Sequence, residues 1–71
     1  MIDMMPINSE SISTIGYDEK NSSLHIKYKD NSLVEYYNIE LDVFANLLFS
    51  PSKSTYIEEK IFNKFSYCKI N

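Results

Sequence analysis

Hydrophobic and polar residues alternate most regularly in the middle of the chain, and this pattern predicts a β-hairpin. Leu24, Ile26 and Tyr28 share one face of the first strand, while their polar neighbours share the other. A short polar loop separates this strand from a second run rich in strand formers, Leu33–Ile39. We expect the apolar face of this hairpin to form the floor of the core.

The length of the connecting loop decides which side chains of the hairpin face the core. A two-residue turn would place Glu35 on the apolar face, and burying an unpaired carboxylate is costly. A three-residue loop over residues 29–31 instead pairs Ile26 with Val34, and its third residue is an Asn, which tolerates the left-handed conformation that such a loop needs. We therefore predict the longer loop, with His25 opposite Glu35 on the outer face.

A further strand is predicted before the hairpin, over Ser11–Asp18. Its apolar phase slips between Ile12 and Ile15, which indicates a β-bulge. Gly16, the single glycine of the chain, is typical of a bulge or a close backbone approach. Residues 1–10 show no clear period, and we expect residues 1–6 to fray.

Two helices are predicted after the hairpin. The first covers Glu40–Phe49, where the apolar positions form one stripe: Val43, Phe44, Leu47 and Leu48. Ser50–Pro51 ends it, because the residue before a proline is disfavoured in the helical region. The second runs from about Ser52 to Asn63, with Ser52 or Ser54 as its cap and Thr55-x-x-Glu58 resembling a capping box.

The tail over Ser66–Ile70 is expected to add a short edge strand, with Tyr67 packing inward. The fold class predicted by this order is α+β. It is an antiparallel meander of three or four strands with two C-terminal helices packed on one face. The 71 residues are expected to form a single domain.

Composition narrows the classes of function. The net charge is −3, with seven Lys, no Arg and ten acidic residues, which argues mildly against an autonomous nucleic-acid binder. The single Cys cannot form an internal disulfide, so we expect a reducing, cytoplasmic setting. No segment approaches the roughly 18 apolar residues of a membrane span, and no signal peptide is recognised. We expect no membrane partner.

The residues that carry chemistry are too few to indicate an enzyme. There is one His and one Cys, and no cluster with metal-ligand or Cys/His spacing, so neither catalysis nor a metal is expected. One Gly excludes a glycine-rich phosphate loop, and no cofactor is expected. We interpret His25 as a surface residue beside Glu35, and Cys68 as an ordinary packed or surface thiol.

An ordered set of motifs resembles the KTSC domain, a small module named after the C-terminus of certain lysyl-tRNA synthetases and also found as stand-alone bacterial and phage proteins. The resemblance covers roughly residues 7–70. In order, the matching elements are Ile12-x-x-Ile15–Gly16–Tyr17–Asp18, Leu24-x-Ile26-x-Tyr28, Tyr36 with Ile39, Ser50–Pro51–Ser52–Lys53, and then Tyr56, Ile61, Phe65, Tyr67 and Ile70.

The chain departs from the family pattern at four positions. Val34 replaces the first Tyr of a Y-x-Y pair, and Ser54 replaces a Gly. Ile57 and Glu58 stand where Phe and Asn are usual. If the polar residue at this last position contacts a ligand in the family, Glu58 brings a negative charge to that contact. RNA binding has been suggested for the family from its attachment to synthetases, which is an association and not a mechanism.

Two classes of function remain open. The first is a module that binds RNA, tRNA or a nucleotide, because Lys53 lies at a predicted helix start and Lys27 and Lys29 share a sheet face. The candidate ligand-binding residues are Tyr17, Lys27, Lys29, Ser52, Lys53, Ser54 and Tyr56. The simpler interpretation is that the strand lysines only solubilise the sheet and that the serines only cap the helix.

The second class is a protein-interaction or self-associating module without a nucleic-acid ligand. The acidic balance, the small core and the six Tyr favour it. An unpaired sheet edge could mediate a homodimer or bind a protein partner by strand addition.

Overall fold

Five antiparallel strands form one sheet in sequence order, and two helical segments follow the fourth strand. The computed structural model describes residues 4–70. The strands are β1 (Met5–Pro6), β2 (Ile12–Asp18), β3 (Ser23–Tyr28), β4 (Leu33–Tyr36) and β5 (Tyr67–Lys69). The helices are α1 (Leu41–Phe49) and α2 (Lys53–Tyr56), and α2 continues into a π-helical turn (Ile57–Ile61). The predicted α+β class is confirmed.

The hairpin of β3 and β4 adopts the predicted register. Ile26 pairs with Val34, and His25 pairs with Glu35. The three-residue loop closes through Tyr28 N, which donates to Ser32 O at 2.9 Å. Its third residue, Asn31, has the left-handed φ of 73° that the loop requires. Avoiding a buried Glu35 was therefore sufficient to choose the loop length.

The bulge predicted in β2 is present, because the pairing with β3 shifts between Ile12 and Thr14. One extra residue lets Ile12 and Ile15 both face the core, where their side chains are buried. Gly16 itself pairs regularly with His25 and is buried. The glycine thus leaves the position beside His25 on the outer face without a side chain.

The two edge strands are short. Met5–Pro6 pairs with Thr14 and Ile15, and this strand was missed because two residues with a proline show no alternation. Of residues 1–6, which were expected to fray, residues 1–3 lie outside the described residues. At the other edge, β5 confirms the predicted final strand and pairs with β4.

The core lies between one face of the sheet and the helices. We call the face of the sheet that packs against the helices the inner face, and the opposite face the outer face. The buried apolar residues of the core are Ile12, Ile15, Leu24, Ile26, Val34, Tyr36, Ile39, Phe44, Leu47, Ile57 and Ile61. Tyr67 contacts the inner face through Tyr36, at 5.3 Å between ring centroids, but remains 48% exposed. It therefore packs inward only in part.

The start of the second helical segment differs from the prediction. Ser52 occupies the N-cap position, but no side chain caps the helix. The hydroxyl of Ser52 instead donates to Thr55 Oγ1 at 2.9 Å, so the predicted cap bond and the Thr55–Glu58 capping box are both wrong. Phe62 N donates to Ile57 O at 2.7 Å, a bond that spans five residues and defines the π-helical turn.

Candidate functional site

A polar groove lies where the start of α2 faces the chain that leads into β2. It has a volume of about 360 Å³. Two segments line it: Asn8, Ser9 and Glu10 on one side, and Pro51, Ser52, Lys53, Ser54 and Thr55 on the other. We call it the Lys53 groove. Three of the predicted site residues, Ser52, Lys53 and Ser54, thus meet in one place.

Local hydrogen bonds fix the α2 side of the Lys53 groove. Ser50 Oγ donates to Ser52 O at 2.9 Å, and Lys53 Nζ donates to Ser50 O at 3.4 Å. Lys53 is only partly exposed, so its stem packs along the protein, and its ammonium lies beside the Ser50 carbonyl. An ammonium carries three donors, and one weak bond leaves the others available to a ligand.

The backbone at the start of α2 carries further hydrogen-bond donors. The first N–H groups of a helix have no partner within the helix, and here no side chain at the cap position accepts from them. Because α2 is only four residues long before the π-helical turn, the contribution of a helix dipole is small. Hydrogen-bond donors and the charge of Lys53 are therefore what the groove offers to an anion.

The opposite wall was not anticipated from the sequence. Ser9 Oγ accepts weak bonds from Ser11 N and Ile12 N, both at 3.4 Å, which hold residues 8–10 against the start of β2. Glu10 brings a carboxylate to the groove. No local pattern indicates these residues, because their position depends on how the chain folds back across the helix start.

Tyr17 and Tyr56 are candidate ligand residues that lie outside the Lys53 groove. The ring of Tyr17 stacks on Phe44, with 4.7 Å between centroids and 11° between planes. Its hydroxyl donates to Ile39 O at 2.6 Å. Tyr56 is partly buried against the core. Both side chains support the packing of the helices on the sheet.

Lys27 and Lys29 are exposed and also lie outside the Lys53 groove. Lys27 belongs to β3 and points to the outer face, on the other side of the sheet from the helices. Lys29 lies in the hairpin loop, and its N–H donates to Ser11 O at 2.9 Å. A shallower depression of about 310 Å³ adjoins that loop, lined by Asp30, Asn31, Ser32 and Lys69.

The outer face carries a cluster of polar side chains around His25. Its Nε2 lies 3.0 Å from Glu35 Oε2 and 3.4 Å from Ser23 Oγ, and Tyr37 donates to Glu35 Oε1 at 3.3 Å. The Ser–His–Glu composition does not form a catalytic triad. Serine and carboxylate contact the same ring nitrogen, so the ring cannot pass a proton between them, and Ser23 is only 1% exposed.

The surroundings of two neighbouring side chains, Tyr28 and Tyr36, raise the pKa of their hydroxyls. Burial raises the pKa of Tyr36, and the negative charge of a neighbouring tyrosinate at Tyr28 would raise it further. Burial also raises the pKa of Tyr28, and the two hydroxyls are hydrogen-bonded to each other. They belong to the packing of sheet against helix, and neither lines the Lys53 groove.

Residues 4–70 contain neither a cluster of metal-ligating side chains nor a helix that could cross a membrane. Within that range, no group of three or more His, Cys, Asp and Glu side chains is placed to hold a metal ion. None of the helices in the same range is long and apolar enough to cross a membrane.

Comparisons with known proteins agree with the fold. The crystal structure of a KTSC domain protein from Yersinia pestis superposes with a TM-score of 0.94, at 27% sequence identity, and the match covers 100% of both chains. No curated protein matches the chain. The family model of the KTSC domain matches residues 8–65, most of the sequence. The chain therefore belongs to the KTSC domain family.

Proposed function

We propose that this domain is a non-catalytic binding module whose Lys53 groove takes a phosphate group of RNA or of a nucleotide. The observation that carries the proposal is the meeting of Lys53 with Ser52, Ser54 and Thr55 in one groove of about 360 Å³. Ligand pockets commonly have volumes of about 300–1,000 Å³. The polar lining favours a charged ligand over an apolar one.

The donor set suits an anion. A phosphate oxygen accepts hydrogen bonds from hydroxyls, from backbone N–H groups and, most strongly, from an ammonium. Lys53 provides the charge, and the first turn of α2, which no side chain caps, adjoins it. The resemblance to a module attached to lysyl-tRNA synthetases points towards RNA among the possible sources of phosphate.

Glu10 and the net charge of −3 oppose this proposal and limit the expected affinity. A carboxylate in the groove repels a phosphate dianion. This repulsion favours a site that contacts a single phosphate group over a site that follows a backbone of many phosphate groups. We therefore expect weak binding with a small salt dependence, set by one or two phosphate contacts.

The proposal is tested by titrating inorganic phosphate, a mononucleotide, short single-stranded RNA and tRNA at low and at physiological salt. Amide resonances of residues 52–55 should shift on binding. Lys53→Ala should weaken affinity about tenfold, which corresponds to the loss of about 1.4 kcal/mol. Lys20→Ala is the charge-matched control, because Lys20 is exposed and lies outside the groove.

Two results would contradict the proposal. One is the absence of any shift at residues 52–55 with all four probes at low salt. The other is equal affinity of the Lys53→Ala and Lys20→Ala variants, which would reduce any binding to a general effect of charge. A response to RNA and tRNA, but not to the mononucleotide, would identify the polymer as the ligand.

A further inference from the structure

The backbone groups of Tyr67 and Lys69 face the open edge of the sheet. Two hydrogen bonds fix the orientation of this edge: Ile70 N to Leu33 O at 2.7 Å, and Tyr37 N to Ser66 O at 2.9 Å. Hydrogen-bonded positions alternate along an antiparallel ladder. Residues 66, 68 and 70 therefore bond to β4, and the N–H and C=O groups of residues 67 and 69 point away from it.

Apolar side chains are exposed beside this edge. Tyr67 is 48% exposed and Phe62 is 46% exposed, and their ring centroids are 5.5 Å apart. Ile70, directly after β5, is 51% exposed. An edge strand whose backbone groups point outwards, next to exposed aromatic rings, favours pairing with another strand. The Lys69 carbonyl accepts a long contact of 3.8 Å from Cys68 Sγ, which the N–H of a paired strand can displace.

We propose that β5 pairs antiparallel with β5 of a second copy of this chain, with Cys68 on the two-fold axis. The two sheets then join into one of ten strands, and the helices of both copies lie on the same face. This interface is distinct from the Lys53 groove, so the proposal does not depend on the ligand proposed above.

The side chains and backbone select this register among the symmetric ones. With Cys68 on the axis, Tyr67 of each copy pairs with Lys69 of the other, and four backbone hydrogen bonds form. Lys69 on the axis would place two ammonium groups opposite each other, which is unfavourable. Tyr67 on the axis would pair Lys69 with residue 65, which lies outside the strand, and would lose two of the four bonds.

The same register offers a specific contact between the copies. Tyr67 and Lys69 both lie on the inner-face side of β5, because they pair with Tyr36 and Val34. Each Lys69 therefore lies beside a Tyr67 ring of the other copy, a cation–π arrangement that contributes roughly 0.5–1 kcal/mol at an exposed site.

The opposite edge of the sheet is less suited to this role. β1 has only two residues, and one of them is Pro6, which has no N–H to donate. This difference between the edges favours a closed dimer through β5 over an open chain of copies, which would need both edges.

A pair of variants at position 69 tests the interface. Lys69→Pro removes an outward N–H without removing a bond to β4, whereas Lys69→Ala removes the side chain but keeps that N–H. We expect the wild type and Lys69→Ala to be dimers at high micromolar concentration by sedimentation, and Lys69→Pro to be a monomer. Circular dichroism checks that both variants are folded.

Cross-linking through Cys68 provides a second test that does not depend on the proline variant. Directly opposite residues in a non-hydrogen-bonded pair have Cα atoms about 4.5 Å apart, within the range for a disulfide. Mild oxidation should join wild-type chains at least about tenfold faster than a Cys68→Ser/Asn46→Cys variant, because pairing raises the effective concentration of the thiols. Asn46 is exposed on α1 and lies far along the chain from β5.

A monomeric wild type at high micromolar concentration would overturn the proposal. So would a dimer that persists in a folded Lys69→Pro variant, or a cross-linking rate at Cys68 equal to that at position 46. Phosphate binding should be the same in Lys69→Pro and wild type. A failure to find the dimer would therefore not affect the test of phosphate binding in the Lys53 groove.

Discussion

The hydroxyl of Tyr17 donates a hydrogen bond of 2.6 Å to the carbonyl oxygen of Ile39. This bond joins β2 to the segment that leads into α1. The same ring stacks on Phe44 of α1. One side chain therefore fixes the first helix to the sheet by two different kinds of contact.

Tyr17→Phe should lower the free energy of unfolding by about 1–2 kcal/mol, because it removes the donor to Ile39 O while keeping the stacked ring. Urea unfolding measures this difference. Tyr37→Phe is the matched control, since its hydroxyl forms a longer bond of 3.3 Å to Glu35 on an exposed side chain. Equal changes in the free energy of unfolding would show that the Tyr17 bond stabilises the fold no more than the longer Tyr37 bond does.

Gly16→Ala should destabilise the fold by about 1 kcal/mol, as the net of two opposing effects. Gly16 has no positive φ, so the added methyl group is compatible with its backbone and restricts the unfolded chain. However, that methyl group would lie on the outer face beside His25, which pairs with Gly16. We expect the destabilisation from crowding to exceed the stabilisation from the restricted unfolded chain.

The explanation by crowding can be separated from a backbone effect. In a His25→Ala background, the space beside position 16 is open, and Gly16→Ala should become neutral or stabilising. The four free energies of unfolding form a double-mutant cycle. A cost of Gly16→Ala that is the same in both backgrounds would mean that His25 is not the cause.

Acid should weaken the turns that contain Asp18 and Asp30. A side-chain hydrogen bond from Asn21 lowers the pKa of Asp18, and bonds from Ser32 lower the pKa of Asp30. A carboxyl group with a folded pKa below its unfolded value stabilises the protein above the unfolded pKa of about 3.9, and this stabilisation is lost as the pH falls through the folded pKa.

Unfolding measured between neutral and acid pH tests this prediction. Asp18→Asn keeps an acceptor oxygen but cannot titrate, so its free energy of unfolding should depend less on pH in the acid range. Glu19→Gln, at an exposed position that forms no hydrogen bond among the described residues, is the control. If both variants follow the wild-type curve, the Asp18 bonds make no difference to stability.

Alkali should unfold the domain by ionising Tyr28 and Tyr36. The folded pKa of each is raised, chiefly by burial. The neutral hydroxyls therefore contribute stability that is complete below the unfolded pKa of about 10 and is lost as the pH rises above it. Tyrosinate absorbance should show these two residues ionising only together with the loss of circular dichroism. Tyr36→Phe should lose less stability in alkali.

Glu10→Gln should strengthen binding of a phosphate probe in the Lys53 groove, because it removes a negative charge from the wall that faces Lys53. The matched control is Glu19→Gln, which changes the net charge equally at a position outside the groove. The affinity for inorganic phosphate or a mononucleotide measures the effect. Weaker binding by Glu10→Gln would place the ligand elsewhere or give Glu10 a direct role in holding it.

Much of the fold was predictable because burial and pairing constrain it locally. The hairpin register followed from keeping Glu35 out of the core, and the bulge followed from the spacing of Ile12 and Ile15. The features that were missed depend on the folded chain. β1 forms only because β2 offers an edge to Pro6 and its neighbour, and no periodicity distinguishes a π-helical turn from an α-helix.

The candidate site was predictable only on one side. Lys53 and the neighbouring serines were indicated by their place before a helix, and the structure brings them together in a groove. Asn8 and Glu10 were not indicated, since no pattern in a non-periodic segment shows what it will face. The role of Tyr17 in packing was also hidden, because its partner Phe44 lies far along the chain.

The additional residue in β2 determines more than the burial of two isoleucines. Residues 8–10 line the groove and lead into β2. The bulge between Ile12 and Thr14 sets the direction of this strand and the face to which each of its side chains points. A shortened chain lacking Ser13 would present the reverse side of the preceding segment to the lysine. The side chains that residues 8–10 present to Lys53 therefore depend on a one-residue insertion in the neighbouring strand.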